Sequence, residues 1–138
     1  MSVIVCLDIG DSRIGIAFSN EDTGFVFPLK TYNRTKSIKA DVRAIETEII
    51  ALSGTKVVIG EPVNSDNTQH DKNKEFAERL IRRCQSIDFV YFNEAFSTLE
   101  AEKELVFMDK SRTKRKQVID QLAAVIILES YLSTCKKS

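Results

Sequence analysis

Hydrophobic and polar positions divide the chain into a strand-rich first part and a second part in which strands alternate with helices. Residues 3 to 9 are apolar at both odd and even positions except for Asp8, which predicts a strand buried on both faces. Arg13 to Ser19 is rich in β-branched and aromatic residues and predicts a second strand. Residues 20 to 24 predict a turn, and the apolar alternation from Phe25 to Leu29 predicts a third strand.

In the second part, two stretches have apolar residues at helical spacing, and a short buried strand follows each stretch. Glycine supplies the expected stop for the first of these helices. The predicted elements are a helix marked by Val42, Ile45, Ile49 and Leu52 and stopped by Gly54, a strand at residues 56–60, a helix marked by Phe76, Leu80, Ile81 and Cys84, and a strand at residues 89–92.

Two more helices and one long loop complete the prediction. Ser97 and Glu100 form a capping box for a helix that ends near Met108. The most apolar helix is predicted from Val118 to Leu132. The polar segment from Asn64 to Lys74 is predicted as a loop that follows the fourth strand.

The order β-β-β-α-β-α-β-α-α predicts an α/β fold in one domain that spans residues 1–138. Short turns make the first three strands an antiparallel meander, and Pro28 places the third of them at a sheet edge. The last two strands follow helical crossovers and should run parallel to the first strand. We therefore expect a five-stranded mixed sheet with helices on both faces.

Composition excludes several classes of protein and leaves nucleic-acid binding open. The 20 basic and 20 acidic residues cancel, but Lys103 to Ser138 carries eight basic and four acidic residues, a local excess of four positive charges. The three cysteines are widely spaced, and the N-terminus lacks a basic region followed by an apolar stretch. No apolar run is long enough for a membrane span. We expect a cytoplasmic protein that does not contact membranes.

Three carboxylates are predicted to meet at one edge of the sheet. Asp8 ends the first strand and Glu94 follows the fifth, so both lie at the carboxyl edge, where α/β sheets bind ligands. Asp120 is the one charged member of a helical stripe that continues through Ala124 and Ile127, and it is predicted in the first turn of its helix.

Each acid taken singly also has an ordinary structural explanation. A strand-end aspartate can form a turn, and acids near a helix start complement the helix dipole. Three clustered carboxylates raise one another's pKa values unless a cation lies among them. Oxygen ligands without histidine or cysteine suit Mg²⁺ or Mn²⁺. Gly10 either lets a phosphate approach the backbone or serves a tight turn.

These motifs resemble those of the YqgF family, RNase H-like proteins named as pre-16S ribosomal RNA nucleases and as Holliday junction resolvases. The match covers nearly the whole chain. It comprises Asp8-Ile9-Gly10 with Arg13-Ile14-Gly15-Ile16-Ala17-Phe18-Ser19, Val57 to Pro62, Asn93-Glu94-Ala95-Phe96-Ser97-Thr98 with Ala101, and Asp120-Gln121-Leu122-Ala123-Ala124.

The resemblance implies an RNase H-like fold in which Asp8, Glu94 and Asp120 bind a divalent metal and support phosphodiester hydrolysis. It also implies a role for Gly10 and Arg13 beside the substrate, and it suggests auxiliary roles for Ser97 and Thr98. The chain departs from the family pattern at three positions, where Asn93 replaces an aspartate, Ala95 an arginine and Glu61 an apolar residue. Glu61 adds a carboxylate near the same edge.

A basic segment precedes Asp120 and is the predicted contact for a nucleic-acid backbone. It contains five basic residues among seven and no acid, namely Lys110, Arg112, Lys114, Arg115 and Lys116. A charge run is often only a solvated loop. His70, the one histidine, lies in the polar segment with no spaced partner and is an auxiliary candidate for proton transfer.

Three functional hypotheses follow. The first is a nuclease that matures the 5′ end of precursor 16S ribosomal RNA, with a Holliday junction resolvase as its close alternative. The second is a nucleic-acid-binding module with weak or no activity, since Ala95 and Asn93 depart from the family. The third is a sugar kinase or actin-like ATPase, which needs two such lobes where this chain has room for one. A monomer or weak homodimer is expected.

Overall fold

The computed structural model describes residues 2–61, 67–93 and 112–136, and it describes side chains for residues 2–60, 73–93 and 121–135. Five strands in this part form one sheet, with bounds β1 (Val3–Ile9), β2 (Arg13–Asn20), β3 (Val26–Asn33), β4 (Gly54–Glu61) and β5 (Asp88–Asn93). The helices are α1 (Ile38–Ala51), α2 (Asn67–Arg83) and α3 (Arg112–Lys136). The predicted helix from Ser97 to Met108 lies outside the described residues.

The strand order is β3-β2-β1-β4-β5, with β1 at the centre. β1 pairs antiparallel with β2, and β2 pairs antiparallel with β3, which confirms the predicted meander. β4 pairs parallel with β1, and β5 pairs parallel with β4. The predicted mixed sheet is therefore confirmed, and β3, which contains Pro28, lies at an edge as expected.

The sheet separates two hydrophobic layers. Val5, Leu7 and Ile9 of β1 pack against α1 and α2, in a cluster that includes the fully buried Ile45 and Phe76. Alternate β1 residues point to the other face, where α3 covers them through its own buried apolar residues. That second cluster consists of Ile4, Cys6, Ala17, Val58, Phe92, Ala124, Ile127 and Leu128. Burial of β1 on both faces, as predicted, follows from this two-sided packing.

The turn between α1 and β4 differs from the prediction in its left-handed residue. Ser53, not Gly54, has a positive φ of 56° after the helix ends at Ala51. Gly54 already belongs to β4, where an added Cβ would lie 2.9 Å from Val5 Cγ2 and 3.1 Å from Ile49 Cγ2. Close packing between β4, β1 and α1 is therefore the reason for glycine at this position.

Two helix starts were predicted too late in the chain. The predicted loop from Asn64 to Lys74 is wrong from Asn67 onward, because α2 begins there. Residues 67–83 contain no glycine or proline and many good helix formers, so nothing interrupts the helix that Phe76 and Leu80 anchor. α3 likewise includes Arg112 to Lys116, whose lysine and arginine residues also favour helix.

Candidate functional site

Asp8 lies on the face of the sheet that α3 covers, at the carboxyl end of the central strand. It alternates with Ile4 and Cys6, which both pack in the cluster under α3. It pairs with Gly15 of β2 and is partly buried. This placement confirms that a carboxylate ends the most buried strand, and it directs the Asp8 side chain toward the layer that contains α3.

The backbone of Asp120 belongs to α3, one helical turn before Ala124. Ala124 and Ile127 are fully buried against the face of the sheet that carries Asp8. The prediction that Asp120 lies in the first turn of its helix is wrong, because α3 includes the eight residues before it. The influence of a helix dipole is confined to the first turn. The ordinary explanation of Asp120 as a partner of the dipole therefore no longer applies.

The chain leaves β5 at the same level of the sheet as the end of β1. Leu7 pairs with Ile59, which pairs with Tyr91, so Asn93 stands two residues beyond the level of Leu7. Two strand spacings, about 10 Å, separate β5 from β1. Glu94 is the next residue after Asn93 and lies outside the described residues. The register brings the chain just before Glu94 to the edge where Asp8 lies.

The acidic triad of Asp8, Glu94 and Asp120 stays a prediction, because only the Asp8 side chain is described. Among the side chains that are described, no three His, Cys, Asp or Glu groups gather into a cluster. The donor set fits a hard divalent cation, since it is made entirely of carboxylate oxygens. Asp8 itself is fixed by strand pairing, which suits a group that must hold an ion in one place.

Gly10 has a local reason to be glycine. Its N–H donates a hydrogen bond of 2.8 Å to the carbonyl of Arg13, which closes the turn between β1 and β2. A Cβ at this position would lie 2.8 Å from that same carbonyl oxygen. Arg13 begins β2, is partly exposed, and donates from Nη1 to Ser12 Oγ at 3.5 Å. The turn therefore needs glycine whether or not a phosphate approaches it.

The structure describes only part of the basic segment. Lys110 lies outside the described residues, whereas Arg112, Lys114, Arg115 and Lys116 are helical positions of α3. The interpretation of this segment as a solvated loop is wrong for residues 112–116. Asp120 is the eighth residue after Arg112, which is about 12 Å along the helix axis.

The auxiliary candidates fall mostly where side chains are not described. His70 belongs to α2, and the loop predicted around it is a helix. Glu61 is the last residue of β4 and pairs with Asn93. Ser97, Thr98 and Ala95 lie outside the described residues. Their predicted roles therefore stay predictions.

A polar network that sequence reasoning missed holds the turn beside Asp8. Arg34 Nη1 donates to the Gly10 carbonyl at 2.9 Å and to Asn73 Oδ1 at 3.3 Å, and Asn73 Nδ2 donates to the Ile9 carbonyl at 3.1 Å. Asp41, which is 1% exposed, lies 3.8 Å from Arg34 Nε. One signal was available, because Asp41 precedes Ile45 by four residues on the buried stripe of α1.

A second basic surface lies between α1 and α2, on the other face of the sheet from α3. It is an open groove of about 500 Å³ lined by Lys39, Val42, Arg79, Arg82 and Arg83. Arg79 pairs with Glu75 at 3.0 Å and Arg83 pairs with Glu46 at 2.7 Å. Two of its four cations are therefore already paired with acids.

No helix in the described part of the chain is long and apolar enough to cross a membrane. None of the three cysteines, Cys6, Cys84 and Cys135, forms a disulfide.

Comparison with known proteins supports the resemblance drawn from the motifs. The family model "RuvX: Holliday junction resolvase" matches residues 2–134. A protein of Caldanaerobacter subterraneus subsp. tengcongensis named "Putative pre-16S rRNA nuclease" is 42% identical over 139 residues, covering 98% of this chain and 99% of that protein. A protein of the same name from Carboxydothermus hydrogenoformans is 41% identical over 138 residues, with 98% and 99% covered.

Solved structures with the same fold are much more distant in sequence. T. thermophilus RuvC in complex with a Holliday junction substrate superposes with a TM-score of 0.67 at 11% identity, covering 98% of this chain and 97% of that chain. The Fowlpox virus resolvase in complex with Holliday junction DNA has a TM-score of 0.52 at 13% identity, with 98% and 97% covered. These likenesses confirm the RNase H-like architecture.

Proposed function

Since the chain belongs to the RuvX family, we propose that it is a metal-dependent nuclease that hydrolyses phosphodiester bonds in structured nucleic acid. The YqgF-like motifs from Asp8 to Ala124 and the family model cover the same nearly complete length. Endonucleolytic hydrolysis is the reaction that both the family and the predicted cluster of Asp8, Glu94 and Asp120 support.

One observation carries the proposal. Asp8 ends the central strand on the face that α3 covers, and α3 is the helix that contains Asp120. The strand that carries Asp8 and the helix that contains Asp120 therefore bound one layer, which supports the proposal. The ordinary alternatives are weakened, since Asp120 lies too far into its helix to serve the dipole.

Asp8, Glu94 and Asp120 would hold Mg²⁺ or Mn²⁺ as a set of oxygen donors. Such an ion supplies a water of lowered pKa and neutralises the negative charge that develops at the scissile phosphate. Asp8 contributes a carboxylate that strand pairing with Gly15 fixes in position. The helical backbone of α3 provides the corresponding support for Asp120.

The basic positions of α3 are the proposed contacts for the phosphate backbone. Arg112 to Lys116 precede Asp120 on one helix, within about 12 Å of it along the axis. One strand of a duplex carries three or four phosphates over that length. Lys110, Gly10 and Arg13 complete the proposed substrate surface, the last two beside Asp8 in the turn after β1.

The proposed substrate is the precursor of 16S ribosomal RNA, cleaved at its 5′ end. The names of the relatives at 42% and 41% identity support this assignment. Branched DNA is the second candidate substrate, favoured by the description of the family model. We place the protein in the cytoplasm, acting as a monomer or weak homodimer.

A binding module with weak or no activity is the alternative from another functional class. Asn93 at the end of β5 and Ala95 after it stand where the family has charged residues. These changes remove charge beside Glu94 but leave all three carboxylates present. The nuclease assignment is therefore the one we adopt.

Cleavage assays separate these proposals. The protein is incubated in Mn²⁺ with three substrates, an RNA that reproduces the junction of the precursor 5′ end, a DNA duplex and a four-way DNA junction. We expect cleavage of the RNA, and the Asp8→Asn and Asp120→Asn variants should reduce its rate by about 100-fold or more.

The matched control is Glu129→Gln, which changes an exposed acid on the same helix as Asp120. It should cleave at the wild-type rate. Preferential cleavage of the four-way junction would replace RNA by branched DNA as the substrate. Binding without cleavage at every Mn²⁺ concentration would establish the module instead.

A further inference from the structure

The turn that follows Asp8 is held by side chains from two other elements. Arg34, just after β3, and Asn73, on α2, donate to the carbonyls of consecutive residues, Gly10 at 2.9 Å and Ile9 at 3.1 Å. The backbone N–H of Arg34 also donates to the carbonyl of Ser12 at 2.8 Å. Three hydrogen bonds therefore fix the turn from outside.

The two donors also fix each other. Arg34 Nη1 lies 3.3 Å from Asn73 Oδ1, so the asparagine oxygen accepts from Arg34 while its nitrogen donates to the turn. The amide orientation is thereby set by its partners at both ends. The pair links α2 to the turn through side chains whose geometry leaves little freedom.

Arg34 is in turn held by a buried acid and an aromatic ring. Its side chain is 12% exposed, and its guanidinium carbon lies 5.0 Å from the centre of the Phe76 ring. Its Nε lies 3.8 Å from Asp41 Oδ2. Asp41 accepts hydrogen bonds from Tyr32 Oη at 2.8 Å and from the backbone N–H of Thr35 at 2.9 Å.

These hydrogen bonds bear on the candidate site because they act on the residues that directly follow Asp8. The described pairing of β1 with β4 ends at Leu7, whereas the pairing of β1 with β2 continues to Ile9, the last residue of the strand. Arg34 and Asn73 supply donors to the peptides one and two residues beyond the carboxylate. Displacements of about 1 Å in a catalytic group can cost about 100-fold in rate. Precise support of this turn is therefore a requirement of the proposed chemistry.

We propose that Arg34 and Asn73 are positioning residues that fix the backbone after Asp8 and thereby the carboxylate of the proposed metal site. This inference rests on the proposed nuclease function. In this role both residues act through the carbonyls of Ile9 and Gly10. A residue that only stabilised the fold would affect the unfolding equilibrium and leave the turnover of the folded enzyme unchanged.

Asn73→Asp separates the two roles. The aspartate keeps an oxygen acceptor beside Arg34 and adds an ion pair, but it removes the N–H that donates to Ile9. We expect its urea unfolding midpoint to change little, because the added ion pair with Arg34 offsets the hydrogen bond lost at Ile9, while kcat falls about 10-fold or more at unchanged KM for nucleic acid. Arg34→Met should lower kcat further, and Arg34→Lys should restore part of it.

Hydrogen exchange of the peptide that contains residues 9–13 gives a readout that does not depend on cleavage. Exchange there should be faster in Asn73→Asp and in Arg34→Met than in the wild type. Arg79→Gln is the matched control, because Arg79 pairs with Glu75 on the exposed surface of α2. That variant should keep both kcat and the exchange rate of the turn.

Two results would overturn the assignment in different ways. If the wild type cleaves and Asn73→Asp has the same kcat and the same turn exchange, the positioning role is wrong and the proposed function stands. If the wild type cleaves no nucleic acid with Mn²⁺, the proposed function fails and takes the positioning role with it.

Discussion

Tyr32 donates a hydrogen bond of 2.8 Å from its hydroxyl to Oδ1 of Asp41, and this bond joins the end of β3 to the start of α1. Asp41 is 1% exposed, so its carboxylate depends on such donors for the interactions that water would otherwise provide. Burial and the hydrogen bond to Asp41 raise the pKa of Tyr32 to about 12. The phenol is therefore a donor throughout the neutral range.

Tyr32→Phe should lower the free energy of unfolding at pH 7 by about 2 kcal/mol, because a hydrogen bond to a buried charged group is lost. Urea denaturation measures this difference. The unfolded tyrosine has a pKa of 10.0, so the stabilising effect of holding the proton is complete below pH 10 and is lost as the pH rises through 12. The gap between wild type and variant should therefore narrow from pH 10 to 12. A gap that stays constant over that range would contradict the assignment.

The neighbours Ser53 and Gly54 should respond in opposite directions. Gly54→Ala brings a methyl group against two buried β-branched side chains, those of Val5 and Ile49, and should cost about 1–3 kcal/mol of unfolding free energy. Ser53→Gly relieves a positive φ of 56° and should stabilise by up to about 1 kcal/mol. Denaturant unfolding of the two variants, side by side, tests both. A stabilising Gly54→Ala would show that packing at this point is looser than the structure indicates.

Ala124→Leu should disturb the carboxylate edge through packing. Ala124 is fully buried where α3 meets the sheet, and a larger side chain there forces α3 away. We expect a loss of about 1–3 kcal/mol in unfolding free energy and a lower cleavage rate in the protein that remains folded. Ser133→Leu also enlarges a small side chain, at an exposed position of the same helix, and should change neither quantity by much. Equal effects of the two substitutions would contradict this account.

Two basic surfaces offer a matched test of nucleic-acid binding. Lys114→Gln with Lys116→Gln removes two charges from α3 and should weaken binding of RNA in proportion to lost phosphate contacts. In binding titrations at several salt concentrations, the plot of log K against log salt has a negative slope. The magnitude of this slope should decrease by about one for each phosphate contact that is lost. Lys39→Gln with Arg82→Gln removes two charges from the groove between α1 and α2 and should leave the slope unchanged. If the slope changed in the Lys39 and Arg82 variant and not in the α3 variant, the nucleic acid would bind on the face of the sheet that α1 and α2 cover.

The sequence predicted the sheet well because its signals are local. The continuous apolar run before Asp8, the short turns and Pro28 depend on residues close together in the chain, and they indicated the three-stranded meander and the edge position of β3. The short apolar runs at residues 56–60 and 89–92 indicated β4 and β5 in the same local way. The start of α2 was missed for the opposite reason. Its first turns are polar, and they belong to a helix because the apolar residues from Phe76 onward extend it backward through good helix formers.

The support of the candidate site could not be predicted in the same way. Arg34 and Asn73 are 39 residues apart, and their contact exists only once α2 lies against the end of β3. Nothing in the spacing of either residue indicates a partner. The sequence did contain a signal for Asp41, since this residue lies on the buried stripe of α1, where an unpaired carboxylate would destabilise the fold. Glu94 and Asp120 were assigned from the exit of the fifth strand and from a helical stripe, in agreement with the family motifs, and only their places in the chain relative to β5 and α3 are described.

The central position of β1 has a consequence for how the protein folds. Val5 pairs with Phe18, 13 residues later, and with Val57, 52 residues later. A fourfold longer closure costs about 1.2 kcal/mol more in chain entropy, so the meander should assemble before β4 docks. During synthesis β1, the strand that carries Asp8, can then pair with β2 while β4 and β5 are still being made. The edge of the sheet at which Asp8 lies is therefore complete only after the parallel strands β4 and β5 have paired.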